Sequence, residues 1–109
     1  MKTNVPESVP ESVIELVPGS NPEDWHQHSN GGGWVYKTAK VADTAYVGPN
    51  AKVYDNAKVY DKAMVYGNAW VSGNAWVYGD AMVSGKARVY GDAWVHGNAM
   101  VYGDAAGTK

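Results

Sequence analysis

The sequence predicts an all-β chain that coils into a solenoid, and three observations lead to this fold class. Val stands at every sixth position from Val35 to Val101, which gives twelve repeats without a gap. Small residues and turn-forming pairs recur at the same period. The chain also has one Leu, one Ile and no Phe, so it lacks the large aliphatic side chains that the core of a helical bundle or a doubly wound sheet requires.

Each six-residue repeat combines a short strand with a corner. Gly33 in the first repeat, and Ala in all the others, lies two positions before the Val. Ala-x-Val-x therefore alternates between inward and outward positions with a period of two, which is typical of a strand. A pair such as Gly79-Asp80 follows, and these residue types favour the positive φ of a turn. Strands and corners at a strict period predict coils that stack through backbone hydrogen bonds about 4.8 Å apart.

The repeat resembles the hexapeptide-repeat family of left-handed parallel β-helices over about residues 33–106. Val47-Gly48-Pro49-Asn50-Ala51 has the usual order of that family. Most repeats place Gly one position later, as in Val77-Tyr78-Gly79-Asp80-Ala81, and this variant looks like repeat segments of bacterial and phage proteins, many without an assigned function. The resemblance implies three strands in each coil, a left-handed coil and parallel homotrimers. Twelve repeats would then form about four coils of 18 residues.

The segment before the repeats is predicted to contain an arm and a cap. Residues 1–20 are predicted as an extended acidic arm. Residues 1–34 hold one Lys and five acidic residues (charge −4), whereas residues 35–109 hold eight bases and six acids (charge +2). We therefore expect the arm to lie against the solenoid or a neighbouring subunit, the alternative being a disordered tail.

Residues 21–32 are predicted as a short capping helix, near residues 22–29, followed by a Gly linker. Asn21-Pro22-Glu23-Asp24 is typical of a helix N-terminus. We expect Trp25 to cover the open end of the first coil, because solenoids need capped ends. Residues 107–109 are predicted as a tail.

An 18-residue coil would have three outward faces. The third face carries no charge in its outward columns, which is too apolar for the surface of a monomer. We therefore predict that it forms the contact of a homotrimer, the alternative being that its side chains only cover a strand face of a monomer. The predicted outward residues are Trp34, Lys52, Trp70 and Arg88 on the first face; Lys40, Lys58, Trp76, Trp94 and His96 on the second; and Tyr46, Met64, Tyr66, Met82, Met100 and Tyr102 on the third.

The first and second faces combine aromatic rings with cations, a pattern that is typical of binding surfaces. Such rings can stack on sugars, on nucleobases whose phosphates are held by Lys, or on a protein hot spot. The alternative is structural, because Trp and Tyr favour strands and cover one another in ladders. Further Tyr residues that the repeat places outward are Tyr36, Tyr54, Tyr60, Tyr78 and Tyr90.

These features predict a non-enzymatic structural or binding module, which presents its faces and its arm to a partner. The partner class stays open between a protein, a sugar and a small anionic ligand. One alternative is a phage-type inhibitor or sequestering protein that holds a small anionic ligand or a host protein. An ice-binding role is disfavoured, because the outward columns carry no ladder of Thr.

Two enzyme classes of the family that the repeat resembles are alternatives to a binding module. An acyltransferase would use His96 as its base, since this is the only His in the repeats, but the repeats lack the inserted loop of many such enzymes. A γ-class carbonic anhydrase would need zinc held by three His, which here means His26, His28 and His96. The pair His26 and His28 lies outside the repeats, where that family does not place ligands. We therefore predict no catalytic residue and no cofactor.

Composition excludes several other functions. The absence of Cys excludes disulfides and thiolate metal sites. No apolar run is long enough to span a membrane, and the start of the sequence has no apolar signal region, so we expect a cytoplasmic location. The net charge of −2 argues against a general nucleic-acid binder.

Overall fold

The chain forms a parallel β-solenoid of about four coils with little helix, which confirms the predicted fold class. The computed structural model describes residues 9–103 and the backbone of residues 106–107. The first eight residues of the predicted arm and the last two residues of the predicted tail lie outside the described residues. The left hand of the coil stays a prediction from the family resemblance.

Short strands separated by corners make up almost all of the described chain. A helical turn, α1 (Glu11–Ile14), and a 3-10 turn (Pro22–Asp24) precede them. The strands are β1 (Trp25–Gln27), β2 (Trp34–Tyr36), β3 (Lys40–Val41), β4 (Tyr46–Val47), β5 (Lys52–Val53), β6 (Lys58–Val59), β7 (Met64–Val65), β8 (Trp70–Val71), β9 (Trp76–Val77), β10 (Met82–Val83), β11 (Arg88–Val89), β12 (Trp94–Val95), β13 (Met100–Val101) and β14 (Ala106–Gly107).

Each strand from β2 to β11 pairs in parallel with the strand three places later, which gives three sheets. The first sheet has the order β1-β2-β5-β8-β11-β14, the second β3-β6-β9-β12 and the third β4-β7-β10-β13. Within the first sheet Lys52 pairs with Trp34 on one side and Trp70 on the other. This register confirms the predicted spacing of 18 residues. The first residue of the predicted tail, Gly107, belongs to β14. This strand pairs with β11 and extends the first sheet.

Within the described residues, Ala and Val side chains fill the interior of the coils. Val53 and Val71 of the first sheet are fully buried, as are their neighbours Ala51 and Ala69. All inward positions from Ala45 to Val89 have no measurable exposure. The three sheets lie close together, so small and β-branched side chains fill the space between them.

The corners place backbone groups of successive coils in hydrogen-bonding contact. Gly79 has a φ of +72°, and its carbonyl oxygen accepts a hydrogen bond from the Lys62 amide at 3.1 Å. Asp61 takes the Gly position one coil earlier with a φ of 60°. Its Oδ2 accepts a hydrogen bond from the Gly79 amide at 3.0 Å, so this carboxylate joins two coils at a position that usually requires Gly.

The helix expected near residues 22–29 is only the 3-10 turn Pro22–Asp24, which is followed by β1. This strand runs antiparallel to β2 and pairs Trp25 with Tyr36. The edge of β2 would otherwise be unpaired, so strand pairing replaces helix formation there. The arm also differs from the extended prediction, because Glu11–Ile14 forms a helical turn with Val13 buried.

The open end of the first coil is closed by the loop of residues 28–33, not by Trp25. His28 is buried, and its Nε2 donates a hydrogen bond to the Ala45 carbonyl oxygen at 2.9 Å. The Gly33 amide donates to the Val47 carbonyl oxygen at 2.9 Å. Trp25 lies outside the coil, with the outward aromatic residues of the first sheet, and the prediction that it covers the core was wrong.

Candidate functional site

The first face is largely covered by the N-terminal segment. Val9, Val13 and Trp25 pack with Trp34 and Tyr54 in a buried cluster. Trp34 is only 8% exposed. It points away from the coil interior as predicted, but it is not accessible to a partner.

Polar contacts hold this segment in place. Trp25 Nε1 donates a hydrogen bond to Ser20 Oγ at 3.2 Å, and Ser20 Oγ donates to the Ile14 carbonyl oxygen at 3.1 Å. Asp24 and Lys37 form a salt bridge at 3.1 Å. The pKa of Asp24 is lowered, first by the hydrogen bond from the Asn21 amide and then by Lys37. The segment is thus fixed to the solenoid by apolar and polar contacts together.

The remaining candidates on the first face contact one another or the backbone. The Arg88 guanidinium lies 4.4 Å from the centre of the Trp70 ring, which is a cation–π contact. Lys52 Nζ donates a hydrogen bond to the Asn50 carbonyl oxygen at 3.0 Å. Burial lowers the pKa of Lys52. Tyr90, at 42% exposed, is the accessible aromatic ring at the far end of this face.

The second face carries a continuous group of rings, which we call the aromatic ladder and define as Tyr60, Trp76, Tyr78, Trp94 and His96. The Trp76 and Trp94 centroids lie 6.0 Å apart, with ring planes inclined by 34°. Tyr60 meets Trp76 edge-on at 5.9 Å, and Tyr78 stacks on His96 at 5.3 Å with an interplanar angle of 15°. These separations are within the range of favourable aromatic pairs.

Exposure increases along the ladder from its first coil to its last. Tyr60, Trp76 and Tyr78 are half-buried, whereas Trp94 is 62% exposed and His96 is exposed. Lys58 Nζ lies over Trp76 at 5.6 Å from the ring centre, and Lys40 is exposed one coil earlier. The cations therefore occupy the N-terminal end of this face, and accessible uncharged rings occupy its C-terminal end.

Exposed polar corners border the accessible end of the ladder on both sides. Asn74 and Asp92 lie at the corner before β9 and β12, where Asn74 Nδ2 donates a hydrogen bond to Asp92 Oδ1 at 3.4 Å. Asp80 and Asn98 lie at the corner after the same strands, and all four side chains are exposed. Sequence reasoning missed these corner residues, although the 18-residue spacing already places them beside the rings.

The third face is a column of apolar side chains. The register places Tyr46, Met64, Met82 and Met100 in one row across four strands. Met64, Met82 and Tyr66 are half-buried, while Met100 and Tyr102 are 62% and 67% exposed. The strand register thus brings the Tyr and Met side chains of this column together.

The two candidate zinc ligands of the N-terminal segment have different surroundings. His28 is buried and hydrogen-bonded to Ala45, whereas His26 is exposed on β1. Partial desolvation of the His26 ring by the surrounding chain lowers its pKa although the residue is exposed, and the neighbouring His28 acts in the same direction. His96 belongs to the aromatic ladder of the second face. Among the described residues no group of three or more His, Asp or Glu side chains is placed to hold a metal ion.

Comparison with known proteins identifies the repeat and nothing beyond it. A family model described as the YdcK β-solenoid repeat matches residues 57–73, 63–79, 75–91 and 81–97. No curated protein and no solved structure matches the chain. In the part of the chain that the structure describes, no helix has the length and apolar character needed to cross a bilayer. The matched repeats and the stacked coils together make the chain a β-solenoid protein.

Proposed function

We propose that the chain is a non-enzymatic binding module whose solenoid presents aromatic and cationic surface to a partner, while the described part of the arm packs on the first face. The aromatic ladder carries this proposal, because it places Trp94 at 62% exposure beside the stacked rings of Tyr78 and His96. Trp94 stands on the last strand of the second sheet, where no further described strand of that sheet covers it, so its ring is available to a partner. Within this proposal the chain is of the hexapeptide-repeat type and cytoplasmic.

We further propose that the third face is the contact of a homotrimer. The column of Met and Tyr is uncharged, and Met100 and Tyr102 at its end are 62% and 67% exposed. Contiguous exposed apolar surface is typical of interaction sites. Met82 stands in the middle of the column between Met64 and Met100, so three copies that meet there would bury all three Met side chains. The adjoining second face would stay available for the partner.

The trimer is tested by placing a charge at the centre of the third face. Met82→Glu is expected to convert the protein to monomer or aggregate, because a carboxylate in an apolar contact is strongly disfavoured. Met82→Leu keeps an apolar side chain of similar size and should keep the three-chain mass. Tyr90→Glu places the same charge on the first face and should also keep it. Light scattering coupled to size-exclusion chromatography measures each mass, and an unchanged trimer in Met82→Glu would overturn the assignment.

The acyltransferase alternative is favoured only by the exposed imidazole of His96. A general base is usually oriented by a further hydrogen-bonding group, whereas the described contact of this ring is stacking on Tyr78. Turnover of acetyl-CoA with a panel of amine and hydroxyl acceptors tests this alternative. Turnover that His96→Ala abolishes would replace the binding module by an enzyme. The module predicts no turnover in either protein.

A further inference from the structure

We propose that the C-terminal end of the aromatic ladder binds a neutral polysaccharide chain, an inference that rests on the proposed binding function and names its ligand class. Trp94, Tyr78 and His96 supply the binding surface. Trp94 is 62% exposed, and His96 lies parallel to Tyr78 within 15°. The proposal concerns the second face alone and does not depend on the number of copies in the assembly.

The accessible rings match the apolar side of a sugar. One face of a pyranose presents C–H groups, and the face of an aromatic ring carries negative π density that attracts them. Trp94 offers the largest accessible ring of the ladder. The outward positions of β9 and β12 hold no Lys or Arg. Lys58 Nζ, which comes from the coil before, lies over Trp76, outside the surface formed by Trp94, Tyr78 and His96.

The polar borders match the hydroxyl groups of the same ligand. Asn74 and Asp92 on one side, and Asp80 and Asn98 on the other, are exposed within two to four residues of Trp76 or Trp94 in sequence. Carboxylates accept hydrogen bonds, and amides both donate and accept them, so sugar hydroxyls at the edges of a stacked ring would find partners on both sides.

The same borders disfavour a nucleic acid on this surface. Single-stranded nucleic acids also stack on aromatic side chains, but their binding needs cations along the phosphate backbone. Here the corners beside Trp94 carry Asp80 and Asp92, which repel phosphate, and no cation stands between them on the face. The charge pattern therefore favours an uncharged ligand over a polyanion.

The spacing along the ladder favours a polymer over a single sugar. Successive coils are about 4.8 Å apart, and the ring centroids of Tyr78 and His96, which belong to successive coils, are 5.3 Å apart. The distance from one coil to the next is close to the length of one pyranose unit in an extended glycan. A glycan that runs parallel to the solenoid axis would place neighbouring units over neighbouring coils.

Affinity electrophoresis tests the proposal with three soluble probes: hydroxyethylcellulose, galactomannan and soluble starch. The protein should migrate more slowly in a native gel that contains at least one of them. Trp94→Ala should weaken that retardation at least tenfold in apparent affinity, because it removes the main stacking surface. Tyr90→Ala, which removes an exposed ring on the first face, should bind as the wild-type protein does.

Retardation by none of the three polysaccharides, or equal retardation of the wild type and Trp94→Ala, would overturn the proposal. Binding of labelled oligothymidylate that is lost in Trp94→Ala, without polysaccharide binding, would also overturn it and assign the ladder to nucleic acid. In that case the proposed binding function would still hold, with a nucleic acid as the ligand. Acetyl-CoA turnover that depends on His96 would instead remove the proposed function itself, so the two failures are distinguishable.

Discussion

Trp25 packs edge-on against Tyr36, with ring centroids 5.1 Å apart and ring planes at 62°. The two residues are paired across the antiparallel strands β1 and β2. Their contact belongs to an apolar cluster on the outside of the first sheet, which is separate from the Ala and Val interior of the coils. The chain therefore has two packed regions, one that any solenoid of this repeat needs and one that attaches the N-terminal segment.

Trp25→Ala is predicted to lower the free energy of unfolding by about 3 kcal/mol, because it removes a fully buried ring from the outer cluster. The β-sheet circular dichroism signal should persist in water, since the coil interior is unchanged. Trp94→Ala is the control and should cost less than about 1 kcal/mol, because its ring is mostly exposed. Urea denaturation measures both values, and equal losses would contradict the packing described for Trp25.

Val83→Ala is predicted to lower the free energy of unfolding by roughly 2 kcal/mol, because it leaves a cavity between three closely spaced sheets. Val83 is fully buried in the third sheet. Its neighbour Ser84 points outward, and Ser84→Ala should change stability by less than about 0.5 kcal/mol. The difference between the two variants in chemical denaturation tests the inward and outward assignment. Similar values would mean that the strand alternation is wrong.

Gly79→Ala and Gly97→Ala form a matched pair in one corner column. Both positions have positive φ, +72° and +63°, so Ala should cost about 1–2 kcal/mol at each. At Gly79 an added Cβ would also lie 2.9 Å from the Gly97 amide nitrogen, whereas at Gly97 no described atom lies within 4 Å. Gly79→Ala should therefore have the lower melting temperature. The reverse order would contradict the stacking of these corners.

His26 should make stability depend on pH below about 6.5, its ordinary pKa. Because partial desolvation lowers the pKa of His26 in the folded chain, the unfolded chain binds its proton more readily. The free energy of unfolding therefore falls as pH drops from that value to the lowered native pKa, and then levels off for this group. His26→Gln should reduce the slope in this window. Melting curves between pH 4.5 and 7.5 measure it, and an unchanged slope would refute the assignment.

The solenoid itself could be predicted because few folds are compatible with a strict six-residue repeat of Ala and Val. Val at every sixth residue and Ala two positions earlier determine which side chains point inward, and the register of Lys52 with Trp34 and Trp70 follows from the 18-residue coil. The outward residues of each face were predicted from the same 18-residue spacing. A periodic sequence repeats its local environment, so one correct coil specifies the others.

The N-terminal segment could not be predicted in the same way, because it has no repeat. Asn21-Pro22 correctly indicates the start of a helical turn, but Trp25 pairs with Tyr36 at the edge of β2 and is therefore a strand residue. The burial of Trp34 follows from that packing, so its accessibility could not be read from the repeat. His28 in the capping loop forms a side-chain hydrogen bond to the Ala45 carbonyl oxygen, a contact that no local sequence pattern indicates.

Native mass spectrometry of the untagged wild-type protein most directly tests the central claim, that the third face is buried between three copies. A homotrimer should have a mass of three times the chain mass of 11.7 kDa. Any additional mass would report a retained ligand. A mass of a single chain at micromolar concentration would contradict the account and leave Met64, Met82 and Met100 as free surface.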